Sequence, residues 1–265
     1  MANVLFTCVK IRRFANDHTT TTAQRQQFNM KIKEIKVPDG IIVYNAGYIS
    51  QPSSDLFDVE AQSRAGDRNF LGRSSAVSFN IDGLGVVVLK HYQRGGLVGK
   101  LIQDTYFYNG LHRTRMVAEF SLLKSMLEKQ LPVPAPVAAK VTRRGLFYTG
   151  ELITAKLPLT QTLAQRLQTS GLDEALWSAV GQTVSRFHEK GVYHADLNAN
   201  NIMLDEKGQV FLVDFDKSHI KKNKSGNWRM ANLHRLRRSL NKLKLNLGQF
   251  HFDERNWSAL LKGYD

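Results

Sequence analysis

His194-Ala-Asp196-Leu-Asn-Ala-Asn-Asn201, followed beyond a short apolar run by Val213-Asp214-Phe215, is the stretch on which the fold turns. Asp196 lies between a helical pattern and a strand-like one, where a loop can present its carboxylate to an incoming hydroxyl. Asn201 stands at the entrance to the strand and can turn its amide oxygen towards a hard cation. Asp214 follows the next strand and adds a carboxylate ligand. Transfer of a γ-phosphoryl group needs little more than a base near the acceptor, oxygen ligands for magnesium and a cation on the nucleotide phosphates, since positioning and charge neutralisation supply most of the catalysis. Asp196 is accordingly read as the catalytic base, and Asn201 and Asp214 as ligands of Mg2+. His194 is read as a hydrogen-bonding member of the loop rather than a proton shuttle. A merely polar loop after a helix would not account for the joint spacing with an apolar strand that ends in Asp-Phe.

The remaining cation is sought upstream. Lys90 ends the run Val86-Val-Val-Val-Leu-Lys90, where a strand can hold an ammonium against ATP phosphates, and Glu119 lies in the next helical pattern, placed to pair with it. Gly66-Asp-Arg-Asn-Phe-Leu-Gly72-Arg-Ser-Ser75 precedes a strand and is the candidate phosphate-covering loop, with Gly72 and Ser74 as its nucleotide-binding residues, although it lacks GxGxxG. Glu151, Leu152 and Ile153 are placed at a connector, where the backbone of Glu151 and Ile153 would face adenine. Gly95-Gly-Leu-Val-Gly-Lys100-Leu101 superficially resembles a P-loop. Its spacing is short, and Leu101 stands where a Ser or Thr should meet magnesium. It reads instead as a basic, glycine-rich insertion, either a contact for an acidic acceptor or a surface loop.

The periodicities surround these residues in a definite order. Short β-like runs at 41–44, 76–79 and 85–91 predict a small antiparallel sheet. Helical spacing over 114–129 stops at Leu131-Pro-Val-Pro-Ala-Pro136, and two further strands at 137–142 and 146–153 bracket Arg143-Arg-Gly145. Helices are expected at 160–167, 173–190, 227–245 and 254–262, with strands at 201–204 and 210–213 joined by a tight turn. The fold class is thus α+β, a two-lobed protein-kinase-like fold with a β-rich N-lobe, residues 30–153, and a helical C-lobe, residues 154–265. Residues 1–29, with a Thr run and several Gln, read as a disordered extension or as sequence upstream of the true start at Met30.

Composition bounds the partners. The 265 residues carry a formal charge of +14 and one cysteine, Cys8, so no intramolecular disulfide is expected, and no CxxC or HExxH suggests zinc. The first residues make a poor signal peptide, and no run is long enough to span a bilayer. From residue 217 to 252 there is no Asp or Glu, while Lys217, Lys221, Lys222, Lys224, Arg229, Arg235, Arg237, Arg238, Lys242 and Lys244 are basic. That segment is either a solvated face or a contact for an anionic surface.

Departures from the protein-kinase pattern narrow the class. Ala195 stands where an Arg is usual, Asn198 where a Lys is usual, and Asp216 replaces the glycine of Asp-Phe-Gly. A small or lipid-linked acceptor fits better than a regulated protein substrate. From about Gly72 onward, through Leu89-Lys-His-Tyr-Gln-Arg-Gly-Gly96, Gly99-Lys-Leu101, Ala118-Glu-Phe120, Leu131-Pro-Val-Pro134, Asp196-Leu-Asn-Ala-Asn-Asn-Ile202 and Leu212-Val-Asp-Phe-Asp-Lys217, the sequence resembles the 3-deoxy-D-manno-octulosonic acid (Kdo) kinases of Gram-negative bacteria. The resemblance implies ATP-dependent phosphorylation of the 4-hydroxyl of a Kdo residue on Kdo-lipid IVA, a lipid A precursor, in lipopolysaccharide core synthesis. It further implies an enzyme peripheral to the cytoplasmic side of the inner membrane, whose partners are the glycolipid and that anionic membrane surface, with no nucleic acid or obligate protein partner. In the family the lysine position also takes Arg. The alternatives are a lipopolysaccharide heptose kinase or other small-molecule sugar kinase, and, from a different class, a basic nucleic-acid-binding module. The complete acidic set and the lack of interleaved stacking aromatics speak against the last.

Overall fold

The computed structural model describes residues 30–59, 69–70, 76–92, 105–223 and 226–265, without the side chains of residues 69–70. The chain divides into two units, residues 1–124 with 135–156 and residues 125–134 with 157–265. The expectation for residues 1–29 lies outside the described residues.

The first unit is built on an antiparallel sheet. Its strands are β1 (Ile32–Val37), β2 (Gly40–Asn45), β3 (Asn69–Phe70), β4 (Ala76–Ile81), β5 (Gly85–His91), β6 (Tyr106–Phe107), β7 (Pro136–Arg144) and β8 (Phe147–Ala155). The order is β1-β2-β7-β8-β5-β4-β3, with β6 paired to the other end of β8. The sheet is therefore larger than the small one the β-like runs suggested, because β7 and β8, which follow the helix in sequence, insert between β2 and β5. Strand alternation assigns the faces of β5: Val87 and Leu89 are buried among Ile42, Phe79, Val137 and Ile153, whereas Lys90 takes the opposite face.

Helix α1 (Arg115–Glu128) follows β6 in the chain. Met116, Val117, Phe120, Leu123, Met126 and Leu127 are all buried, the face that helical spacing requires. Full burial of each such side chain is worth roughly 1.5–3 kcal/mol. Gln130 stops the helix by adopting φ 57°, and the prolines beyond it cannot resume one.

In the second unit, β9 (Thr160–Thr162) leads into α2 (Leu163–Thr169), followed by α3 (Glu174–Glu189), β10 (Val192–Tyr193), β11 (Ile202–Asp205), β12 (Val210–Leu212), β13 (His219–Ile220), α4 (Trp228–Asn246) and α5 (Glu254–Tyr264). The helix expected from residue 160 starts instead at Leu163. Thr160-Gln-Thr162 is strand, paired with Met203, Leu204 and Asp205, and Thr162 caps α2 in a reciprocal box with Gln165. Asp173 caps α3 through Leu176 N, and Gly191, at φ 76°, ends it.

Helices α3 and α5 approach backbone to backbone. A Cβ on Gly181 would sit 1.9 Å from the Leu260 carbonyl oxygen, and one on Gly263 would sit 2.1 Å from that of Ser178. Only hydrogen fits at either contact. Phe215 is completely buried and stacks on Phe187 of α3, with centroids 5.8 Å apart. This anchors the segment after β12 to the helix that precedes the Asp196 loop.

Candidate active site

The Asp196 loop is fixed mainly through backbone groups. The Asp196 amide donates to His194 Nδ1 (3.2 Å), which makes that nitrogen the acceptor and leaves the proton on Nε2, which donates to the Val213 carbonyl (3.0 Å). His194 is 2% exposed, and its ring links the loop to the strand end that precedes Asp214. Asn232 of α4 holds the same histidine from behind. Its Oδ1 accepts the His194 amide (3.2 Å), and its Nδ2 donates to the His194 carbonyl (2.8 Å). With Oδ1 an acceptor, His188 Nε2 donates to it (3.3 Å), and His188 Nδ1 takes the Tyr264 hydroxyl (2.7 Å). Burial first, then the positive charge of Arg229, lowers the His188 pKa from 6.5 to about 4, against the opposing hydrogen bond to Asn232. His188 is thus neutral near pH 7.

The candidate side chains project from this frame. Asp196 is exposed at 60% of its side chain; Oδ2 accepts Asn198 Nδ2 (3.0 Å), and Oδ1 accepts Arg235 of α4 (3.2 Å). Asn201 Nδ2 donates to the Asp196 carbonyl (2.9 Å), so its amide oxygen is what the side chain has left to offer a cation. The Asn201 carbonyl accepts the Val213 amide (3.0 Å), which ties it to the residue before Asp214. Asp214 is exposed and adopts φ 62°, a left-handed conformation that Asp tolerates better than most residues. Oxygen donors from Asn201 and Asp214 suit a hard cation such as Mg2+.

In the first unit, Lys90 Nζ lies 2.9 Å from Glu119 Oε2, with 23% and 4% of the respective side chains exposed. The Tyr92 hydroxyl donates to the same oxygen, and Lys90 also lies over the Tyr92 ring at 4.8 Å. Strand β5 thereby delivers the ammonium, while α1 delivers the carboxylate that orients it.

Two placements differ from the sequence reading. Glu151 and Ile153 do not lie in a connector. Both fall within β8, opposite His91 and Leu89 of β5 and opposite Lys140 and Ala138 of β7. Their backbone belongs to the sheet, and the Glu151 carboxylate lies 3.3 Å from His91 Nδ1. Gly72 and Ser74 lie outside the described residues, as does most of the glycine-rich insertion, residues 93–100. The sequence does not point to Asn232 or Tyr92, and it gives Arg235 only as one basic residue of the anionic-contact segment. Nothing in that segment distinguishes Arg235 from Arg237 and Arg238, and its hydrogen bond to Asp196 is what the structure adds.

The first unit thus holds a strand lysine paired to a helix glutamate, and the second a loop Asp, a following Asn and an Asp beyond the next strand, the residue types and order of a kinase. The profile of the lipopolysaccharide kinase (Kdo/WaaP) family matches residues 71–264. The chain is 34% identical to a 3-deoxy-D-manno-octulosonic acid kinase of Vibrio parahaemolyticus over 86% of its own length and 95% of the relative's. It is 41% identical to one of Stenotrophomonas maltophilia over 77% and 82%, and 40% identical to one of Photobacterium profundum over 68% and 75%. The chain belongs to the lipopolysaccharide kinase (Kdo/WaaP) family. This decides for an enzyme over a nucleic-acid-binding module.

Proposed function

We propose that the protein transfers the γ-phosphoryl group of ATP to the 4-hydroxyl of a Kdo residue on Kdo-lipid IVA, working peripherally at the cytoplasmic side of the inner membrane. The observation that carries this reading is the Asp196 carboxylate, exposed on a loop whose backbone is fixed on every side and met by the Arg235 guanidinium. Asp196 accepts the acceptor hydroxyl proton as the new O–Pγ bond forms and the bond from Pγ to the bridging oxygen of ADP breaks. Asn201 and Asp214 would supply the oxygen ligands for Mg2+. Bound there, the ion would neutralise charge on the β- and γ-phosphates. Lys90, held by Glu119, binds phosphate oxygens of ATP, and Gly72 and Ser74 are assigned to nucleotide binding from the sequence.

Arg235 supports an anionic acceptor in particular. A guanidinium offers donors along more than one edge, so Arg235 can keep Asp196 oriented while it receives the carboxylate of a Kdo sugar. It thereby stands in for the lysine that Asn198 replaces. The relatives' names favour Kdo over heptose. No described helix is long and apolar enough to cross a membrane, which is compatible with peripheral association.

The test is ATP consumption with Kdo-lipid IVA against a heptosylated core acceptor, followed by locating the phosphate on the product by NMR. Turnover on Kdo-lipid IVA with phosphate on the 4-oxygen is expected. Turnover on the heptosylated acceptor alone would replace this reading with a heptose kinase.

A further inference from the structure

Phe107, Leu146 and Phe147 are 63%, 63% and 47% exposed, three large apolar side chains at one end of the sheet in the first unit. Register places them together. Phe107 pairs with Phe147, and Phe147 with Arg144, so Phe107, Phe147 and Arg144 stand in one row on one face, with Leu146 in the adjoining turn. The Phe107 and Phe147 rings meet edge to face at 6.4 Å. The tip is held rigidly: Gly145 takes the left-handed turn at φ 61°, the Tyr108 amide donates to the Leu146 carbonyl (2.8 Å), and Arg143 Nε donates to the Gly145 carbonyl (2.8 Å) while its guanidinium lies over the Tyr108 ring at 4.6 Å.

Among the described residues the charge around this row is mainly positive, and one of its carboxylates, Glu34, lies 3.6 Å from His112 Nε2. Residues 105–118 and 136–150 contain no Asp or Glu; Arg144 shares the face of Phe107 and Phe147, while Arg143, opposite Tyr148, reaches the tip from the other face. Lys36, Arg143 and Arg144 also line a cavity of about 460 Å³, whose one carboxylate, Asp39, is paired with Lys140 at 2.6 Å. A rigid apolar row flanked by arginines matches the interface of an anionic bilayer, where aromatic rings settle at headgroup depth and guanidinium groups meet lipid phosphates. An acidic protein surface would satisfy the arginines but would not take up the apolar tip.

We propose that the tip of the β7–β8 hairpin, residues 143–147 together with Phe107, is the surface by which this protein docks on an anionic lipid bilayer. This rests on the reading of the enzyme as peripheral to the membrane and assigns the contact to the first unit rather than to the basic segment 217–252.

The experiment measures flotation of the full chain with phosphatidylcholine vesicles, with and without phosphatidylglycerol. The unaltered protein is expected to bind the phosphatidylglycerol vesicles, and the combined Phe107→Ser, Leu146→Ser and Phe147→Ser variant to bind about tenfold or more weakly. Arg144→Glu is expected to lose about fivefold or more, and only where phosphatidylglycerol is present. Turnover on detergent-solubilised acceptor should persist in every variant, and it certifies the fold. As an arm independent of lost binding, Leu146→Trp should gain fluorescence that brominated acyl chains quench, beyond any quenching of the unaltered protein. Unreduced binding of the triple variant, or an unquenched Trp, would overturn the assignment of the surface while leaving membrane association in place. Absence of binding by the unaltered protein would instead overturn the membrane reading itself.

Discussion

Glu119 is 4% exposed and gathers the Lys90 ammonium and the Tyr92 hydroxyl onto one oxygen, whereas Asp196 is 60% exposed and takes Arg235 and Asn198 on different oxygens, with the backbone around it doing the positioning. The first arrangement holds a charge by pairing it in a partly dry place, where loss of one partner leaves the other desolvated. The second keeps its carboxylates in water until ligands arrive, and surface ion pairs of that kind add little to stability. Substitutions in the two regions should therefore separate: chemistry without stability in the Asp196 loop, and both together at Lys90 and Glu119.

The sharpest test is at the exposed carboxylates. Asp196→Asn and Asp214→Asn should each lower kcat by about 10²–10⁴-fold or more with an unchanged melting profile. A stopped assay and calorimetry on the same preparations check both halves, and retained turnover in Asp196→Asn would remove it as the base. Glu119→Gln should lower kcat/KM for ATP by roughly 10–100-fold and also destabilise the protein by about 1–3 kcal/mol, since Lys90 keeps its place but loses its counter-charge. A fall in activity with no fall in stability there would erase the contrast between the regions.

An intermediate effect belongs to the frame behind the loop. The folded chain keeps His188 neutral down to about pH 4, while the unfolded chain binds a proton near pH 6.5. The contribution of His188 is thus complete above pH 6.5 and is lost as the pH falls towards 4, reaching about 3 kcal/mol. Denaturant titrations across that range should show the loss, and His188→Gln, which retains a donor for Asn232, should flatten it. The smallest effect is expected for Arg235→Gln, a several-fold rise in KM for the glycolipid with KM for ATP unchanged. Equal changes in both constants would contradict its role towards the acceptor.

How legible the molecule is in its sequence follows from the distance over which each part is determined. Asp196, Asn201 and Asp214 share one loop and two short strands, so local spacing was enough to bring them together. β5 announces itself by a continuous β-branched apolar run and α1 by a period of 3.6, which put Lys90 on a strand and Glu119 on a helix. The two-residue strands β6, β10 and β13 are too short to carry a period and exist only through partners far along the chain. The Glu151 and Ile153 connector was misplaced because the apolar run fades at Ile153, whereas pairing of Val87 with Ala155 carries β8 two residues further. The start of α2 was readable after all: Thr162 and Gln165 have the spacing of a capping box, a signal that the helical run at 160–167 obscured. Arg235 and Asn232 reach the loop from α4 across about forty residues, and no local pattern encodes such a contact.

The order in which the loop and its support are made has a consequence of its own. Tyr264, which closes the hydrogen-bonded series through His188 and Asn232 to His194, lies 76 residues beyond His188 in the chain. At roughly 5–20 residues per second, a ribosome needs about 4–15 s to bridge that interval. For those seconds the frame behind the Asp196 loop lacks its last hydrogen bond, which forms only once α5 has emerged and settled its glycine against α3.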